Sequence, residues 1–194
     1  MNVIINTGCS NLFSISTAIR NLGHRAIISK NANDILKANK LFLPGVGSVK
    51  TAMQELTKNK LIKLIKDCKQ PILGICLGMQ LLGISSEENN GTQTLGIINT
   101  LTKKIENYGL PIPHIGWNKI KIKNQHCLFH KIKDDYFYFV HSYAMPICDS
   151  TIATTCHGHS FTAVIKHKNF FGVQFHPEKS GKIGKQLLKN FLEI

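Results

Sequence analysis

Pro71-Ile72-Leu73-Gly74-Ile75-Cys76-Leu77-Gly78-Met79-Gln80 decides how the chain is read. Pro71–Cys76 is apolar without alternation, as expected of a strand covered on both faces. Leu77–Leu82 turns helical, so a buried strand runs straight into a helix. A strand of that kind belongs inside a parallel sheet with helices on both sides.

Working outward toward the N-terminus, the order repeats. Val3–Asn6 is a short apolar run ending at the turn Thr7-Gly8, and Ser14–Leu22 reads as a helix stopped by Gly23. His24–Lys30 is strand-like, Asp34–Lys40 helical, and Leu41–Leu43 apolar up to Pro44-Gly45. Ser48–Cys68 carries Val49, Met53, Leu56, Leu61, Leu64 and Ile65 near helical period, which predicts one long helix. Toward the C-terminus the style changes. Ile97–Ile105, Trp117–Lys123, Tyr136–Tyr143, Ile152–Cys156, Phe161–Ile165 and Phe170–Phe175 read as strands with little helix between them. Lys119–Lys123 alternates and predicts one wet face, and Gly181–Leu192 closes the chain as an amphipathic helix. The expected fold class is α/β, a mainly parallel central sheet flanked by helices with additional antiparallel strands in the second half. No linker or repeat interrupts it, so residues 1–194 read as one domain.

Composition excludes several classes. The chain has 194 residues, 43% hydrophobic and 18% charged, which is inconsistent with a disordered tail. The longest apolar stretch, Pro71–Ile84, includes Gln80 and falls short of the about 20 residues a bilayer needs, so no membrane partner is expected. The N-terminus lacks a basic flank and cleavage pattern, which points to the cytoplasm. The net charge is +13, yet only Arg20 and Arg25 are arginine and no lysine run exceeds two residues. Lys, Ile and Asn share AT-rich codons, so base composition accounts for the charge, and no nucleic-acid partner is expected. Among Cys9, Cys68, Cys76, Cys127, Cys148 and Cys156 there is no Cys-x-x-Cys pair. The expectation is reduced thiols, with the five besides Cys76 buried and inert. No spaced His/Cys/acid set suggests a metal, and no cofactor is expected.

Gly74-Ile75-Cys76-Leu77-Gly78 has the G-x-nucleophile-x-G form of a strand-to-helix elbow, with cysteine as the nucleophile. The glycines let neighbouring backbone come close, the helix N-terminus favours thiolate, and the Leu77 N–H is placed for an oxyanion. Taken alone, the pentapeptide equally fits a small buried cysteine between packing glycines. A base is found in Phe175-His176-Pro177-Glu178. Pro177 biases His176 to extended backbone, from which Glu178 at i+2 lies on the same side and can hold one imidazole nitrogen. His114 in Pro113-His114-Ile115-Gly116-Trp117 and His141 in His141-Ser142-Tyr143 are left open between structure and site; His24, His126, His130, His157, His159 and His167 read as surface residues or local hydrogen-bond partners.

Gly74–Gln80 together with Gly172-Val173-Gln174-Phe175-His176-Pro177-Glu178 resembles the class I glutamine amidotransferases over essentially the whole chain. Those enzymes hydrolyse glutamine and pass ammonia to a synthase. Further stretches are Pro44-Gly45-Val46-Gly47, Ser86–Gly91, Pro113–Asn118 and Tyr138–Tyr143. These resemble the branch of the family that forms a heterodimer with the cyclase subunit of imidazole glycerol phosphate synthase, in histidine biosynthesis. Branches serving anthranilate, aminodeoxychorismate or pyridoxal phosphate synthesis stay open as alternatives. The resemblance implies L-glutamine as substrate, Cys76 as nucleophile, His176 as base and then acid, and Glu178 as the orienting group. It implies an oxyanion hole from the backbone of Val46 and Leu77. It implies a glutamine pocket from Gly47, Gln80, Glu88, Ser142 and Tyr143, with Glu88 answering the substrate ammonium. Asn6 stands where relatives often carry Asp, and a local hydrogen-bond change is expected there.

Overall fold

The computed structural model describes residues 1–8 and 11–194; Cys9 lies outside the described residues. The strands are β1 Asn2–Ile5, β2 Ala26–Ser29, β3 Lys40–Gly45, β4 Ile72–Cys76, β5 Ser85–Ser86, β6 Thr92–Gln93 and β7 Leu101–Lys104. The second half adds β8 His114–Lys119, β9 Lys121–Ile122, β10 Tyr136–His141, β11 Tyr143–Ala144, β12 Thr151–His157, β13 His159–His167 and β14 Phe170–Val173. The helices are α1 Leu12–Arg20, α2 Ala32–Leu36, α3 Val49–Lys58, α4 Leu61–Asp67, α5 Leu77–Gln80 and α6 Gly181–Glu193.

An eight-stranded sheet in the order β2-β1-β3-β4-β14-β13-β12-β9 forms the centre. The pairs from β2 across to β14 are parallel; β13, β12 and β9 continue antiparallel. The α/β expectation therefore holds, including the change of style between the halves. Every residue of β1, β4 and β14 is buried, which explains their unalternating apolar sequence. Ile4, Phe42, Leu73 and Ile75 face α1 and α6 through Ile15, Ile19, Leu187 and Phe191. Val3, Ile5, Leu41, Leu43 and Ile72 face α2, α3 and α4 through Ile35, Val49, Leu56, Leu61 and Ile65. Two cores thus clamp the sheet. A second sheet pairs β10 with β8, and a third runs β11-β7-β5-β6.

Register places the chemistry. Gly45 pairs with Cys76 across β3 and β4, so the loop after β3 opens beside Cys76. Val173 pairs with Ile75 across β14 and β4, so the segment leaving β14 rises on the other side. Both loops lie at the carboxyl ends of parallel strands, where open α/β sheets bind ligands.

Some expectations need correction. The helix read over Ser48–Cys68 is two, α3 and α4, because Asn59 caps α3 and Lys60 takes a left-handed φ of 57°. The apolar period runs across the break and conceals it. Of Ile97–Ile105 only Leu101–Lys104 is strand, and the Trp117–Lys123 run is divided at Ile120, whose N–H goes to Asp135 O at 3.0 Å. Ile120 is buried while Lys119, Lys121 and Lys123 are exposed, as the alternation predicts. Cys68 is buried, but Cys127 and Cys156 are exposed and Cys148 is half-buried, so the expectation of inert buried thiols fails there. Cys156 lies near the end of β12, where the strand leaves the core. Among the described residues no helix is long and apolar enough to cross a membrane.

Candidate active site

Cys76 ends β4 with φ 53° and ψ −108°, a conformation that L side chains rarely adopt and that costs about 1–3 kcal/mol. Its neighbours hold it there. A Cβ on Gly78 would fall 1.6 Å from Leu43 O, and one on Gly74 would fall 2.6 Å from Gly78 O. Only glycine lets the elbow press this tightly onto β3 and back onto β4. The helix that follows has four residues, so its dipole is small, and the helix effect reduces to N–H groups without intrahelical partners, Leu77 among them. The Cys76 thiol sits near Val140 O at 3.8 Å, and Gln174 Nε2 donates to its sulfur at 3.7 Å.

His176 leaves β14 in extended conformation, its N–H bonded to Tyr138 O at 2.9 Å. Pro177–Lys179 then makes a 3-10 turn, so Glu178 reaches the ring by a turn rather than by continued extension. Nδ1 and Glu178 Oε1 are 2.7 Å apart with both side chains fully buried. Asn11 Nδ2 donates to the same oxygen at 2.6 Å. Ser180 Oγ accepts from Tyr138 N–H at 3.0 Å and donates to His176 O at 2.7 Å, tying the turn to β10. Burial by itself disfavours the imidazolium, but hydrogen bonding and charge from Cys76 and Glu178 more than offset it and push His176 up to about 10. Nε2 is buried and closes no hydrogen bond of good geometry. The formed bond is the one to Glu178 at Nδ1, and Cys76 raises the ring's proton affinity from the Nε2 side, most strongly as a thiolate.

A cavity of about 280 Å³ opens on Cys76. Its lining contains every residue expected to bind glutamine or the oxyanion: Val46, Gly47, Leu77, Gln80, Glu88, Ser142 and Tyr143, with Val140 and His141 besides. Glu88 Oε2 accepts from Val49 N–H at 2.9 Å, which anchors its loop to the start of α3. Gln80 Nε2 is committed to Tyr143 O at 2.8 Å and Gln174 Oε1 at 3.2 Å, so any ligand bond from Gln80 runs through its Oε1. Gly47 has φ +111°, a backbone closed to most side chains. Larger grooves of about 980 and 790 Å³ lie along 122–134 and beside α3, and neither touches Cys76. Asn6 Oδ1 accepts from Gly8 N–H at 3.0 Å, a bond that an Asp carboxylate could accept as well. Among the described residues no cluster of His, Cys, Asp and Glu suited to a metal is present.

Sequence reasoning missed Asn11, Gln174, Val140 and the place of His141. Gln174 was visible two residues before His176, but nothing local shows that its amide meets Cys76. Asn11 stands 167 positions from Glu178, and its sequence surroundings suggest only a turn.

The pattern of the family described as glutamine amidotransferase class-I matches residues 3–194. A protein of Blochmanniella pennsylvanica named imidazole glycerol phosphate synthase subunit HisH is 58% identical over 193 residues, 99% of this chain and 98% of its own. Proteins of the same name from Buchnera aphidicola and Salmonella typhimurium are 56% and 54% identical, covering 99% and 100% of this chain and 98% and 100% of their own. Among solved structures, a putative GMP synthase component from Thermoplasma acidophilum has a TM-score of 0.76 at 18% identity, covering 100% of this chain and 92% of its own. PurLQS from Thermotoga maritima also has a TM-score of 0.76 at 18% identity, covering 99% and 97%; both likenesses are of fold.

Proposed function

We propose, from the premise that this chain belongs to the class I glutamine amidotransferases, that it is the ammonia-producing subunit of imidazole glycerol phosphate synthase, working in the cytoplasm as one 194-residue domain beside a cyclase subunit. The full-length match to proteins of that name supports the branch, and the geometry around Cys76 supports the chemistry.

His176 takes the thiol proton, and Cys76 sulfur attacks the carboxamide carbon of L-glutamine. The carbonyl π electrons move to oxygen, and the resulting oxyanion is held by backbone N–H groups of Leu77 and Val46. Collapse breaks the C–N bond, His176 returns its proton to the leaving nitrogen, and ammonia departs toward the cyclase. Water, activated by the same imidazole, attacks the thioester and releases glutamate and free thiol. Glu178 fixes the ring and stabilises its charged form, with Asn11 holding the carboxylate in place. Glu88 answers the substrate ammonium, and Gly47, Gln80 Oε1 and the backbone at Ser142 and Tyr143 complete the glutamine pocket.

The observation that carries this reading is the fully buried His176–Glu178 pair at 2.7 Å beside a strained cysteine that opens on the cavity. Glutamate release by the complex tests it. Cys76→Ala is expected to abolish turnover, while the cyclase keeps working on added ammonia. Near wild-type glutamate release by Cys76→Ala contradicts the assignment.

A further inference from the structure

The Pro113–Asn118 and His141–Tyr143 motifs carry two buried histidines that the hydrolysis above does not use. His114 and His141 are 4% and 6% exposed and meet across the β8–β10 ladder, where they are register partners. His114 Nδ1 lies 3.0 Å from His141 Nε2. The far ring nitrogens face Asn118 Nδ2 at 3.2 Å and Tyr143 O at 2.9 Å.

The direction of every bond in this row follows from its fixed ends. Asn118 cannot be turned over, because its Oδ1 accepts from Lys119 N–H at 2.8 Å and its Nδ2 donates to Cys156 O at 2.8 Å. Its second amide hydrogen therefore points at His114 Nε2, which must accept and carry no proton. The single proton of a neutral His114 then sits on Nδ1 and is donated to His141 Nε2. That leaves the proton of His141 on Nδ1, directed at the carbonyl of Tyr143. A carbonyl can only accept, so the other end demands the same assignment independently.

We propose that His141 and His114 are positioning residues of the glutamine pocket, two imidazoles locked in the Nδ1–H tautomer that carry a one-way hydrogen-bond chain from Asn118 to the Tyr143 carbonyl. The inference rests on the glutaminase reading above and deepens it. The Tyr143 carbonyl also accepts from Gln80 Nε2, and the Ser142 carbonyl accepts from Ile105 N–H at 2.9 Å. Both peptide oxygens of the pocket wall are thus turned into the protein and held. Because Gln80 also bonds Gln174, whose Nε2 donates to Cys76 sulfur, the chain reaches the nucleophile's own partner. The chain does not shuttle protons, since His141 spends its only proton on a carbonyl that cannot pass it on. Burial and the neighbouring imidazoles, only partly opposed by the Tyr143 bond, leave His141 at about 3, and burial with the stacked His157 leaves His114 at about 4, so both rings stay neutral at working pH.

Two measurements test the chain. Imidazole nitrogen NMR of the ¹⁵N-histidine-labelled full chain near neutral pH is expected to show both rings neutral with the proton on Nδ1. An Nε2–H tautomer or a charged ring at either position overturns the proposal. Second, the complex is assayed with His141→Asn, which keeps a donor near the Nδ1 position but loses the ring, and His141→Phe, which keeps the ring but loses the donor. The phenylalanine variant is expected to raise KM for glutamine about tenfold with kcat changed far less, the asparagine variant to stay within about threefold. Equal losses, no loss in either, or asparagine the worse assign the ring to packing and overturn the proposal. If Cys76→Ala still releases glutamate, the glutaminase reading itself fails; wrong tautomers with a dead Cys76→Ala sink only the chain.

Discussion

His176 and His141 are both buried beside the same cavity, and they hold protons in opposite ways. His176 is pushed up to about 10 and His141 down to about 3. Desolvation is the first influence on each ring and lowers both. The partners decide the outcome. His176 faces a carboxylate and a thiol, groups that gain by its charge. His141 faces a carbonyl on one nitrogen and another imidazole on the other, with His114, His157 and His176 all disfavouring a further positive charge. Burial makes a histidine sensitive to its neighbours; it does not by itself say whether the ring is an acid–base group or a strut.

The strongest way to break this comparison is to remove each ring's role. His176→Ala is expected to cut glutamate release by the complex about 10³- to 10⁴-fold, since the thiol loses its base, against the roughly tenfold KM effect at His141. Comparable losses at both positions would erase the distinction. Stability against pH comes next. In the unfolded chain both His141 and His114 titrate near 6.5, so between that pH and about 3 to 4 the unfolded state binds more protons. Folding stability should therefore fall on acidification from pH 6.5 by up to about 1.4 kcal/mol per unit per ring. His176 acts on the other side. Its contribution is complete below 6.5 and is lost as pH rises toward about 10. Denaturant titrations across pH should show a maximum near neutrality, with the acid limb shallower in His141→Asn; an unchanged acid limb counts against the assignment.

Glu178→Gln sharpens the contrast from the other side. It keeps the shape but removes the anion, and is expected to lower the His176 titration and slow turnover by about 100-fold or less. An NMR titration of His176 that does not move downward would separate Glu178 from the ring's high proton affinity. The smallest effect is expected at Asn11→Ala, about three- to tenfold in glutamate release, because one bond to a charged oxygen is lost while Nδ1–Oε1 remains. No change in turnover would place Asn11 outside the machinery.

How much of this was legible in the sequence follows from separation along the chain. The elbow is written within five residues, and the His176–Glu178 contact spans two, so both could be read locally. The unalternating run of β4 announced a strand covered on both faces. Lys60 was not legible as a helix break, because Val49, Leu56, Leu61 and Ile65 keep their period through it and all four are buried. The exposed Cys127 and Cys156 were misjudged because cysteine's general tendency to be buried says nothing about a strand end or a surface turn. The histidine chain needs the β8–β10 register before His114 and His141 become neighbours, and Gln174 needs β14 laid against β4 before its amide meets Cys76. Pairing across strands set these contacts, and periodicity along one strand does not reveal it.

The central claim is that Cys76 attacks the side-chain amide of glutamine, and trapping the intermediate tests it most directly. The full chain, mixed with its cyclase partner and glutamine, is quenched in acid during turnover and mapped by peptide mass spectrometry. The account predicts a glutamyl thioester on the peptide carrying Cys76, absent from the other cysteines, that builds up in Glu178→Gln if deacylation is slowed. Glutamate formation with no adduct at Cys76, or an adduct at another cysteine that persists in Cys76→Ala, would contradict it.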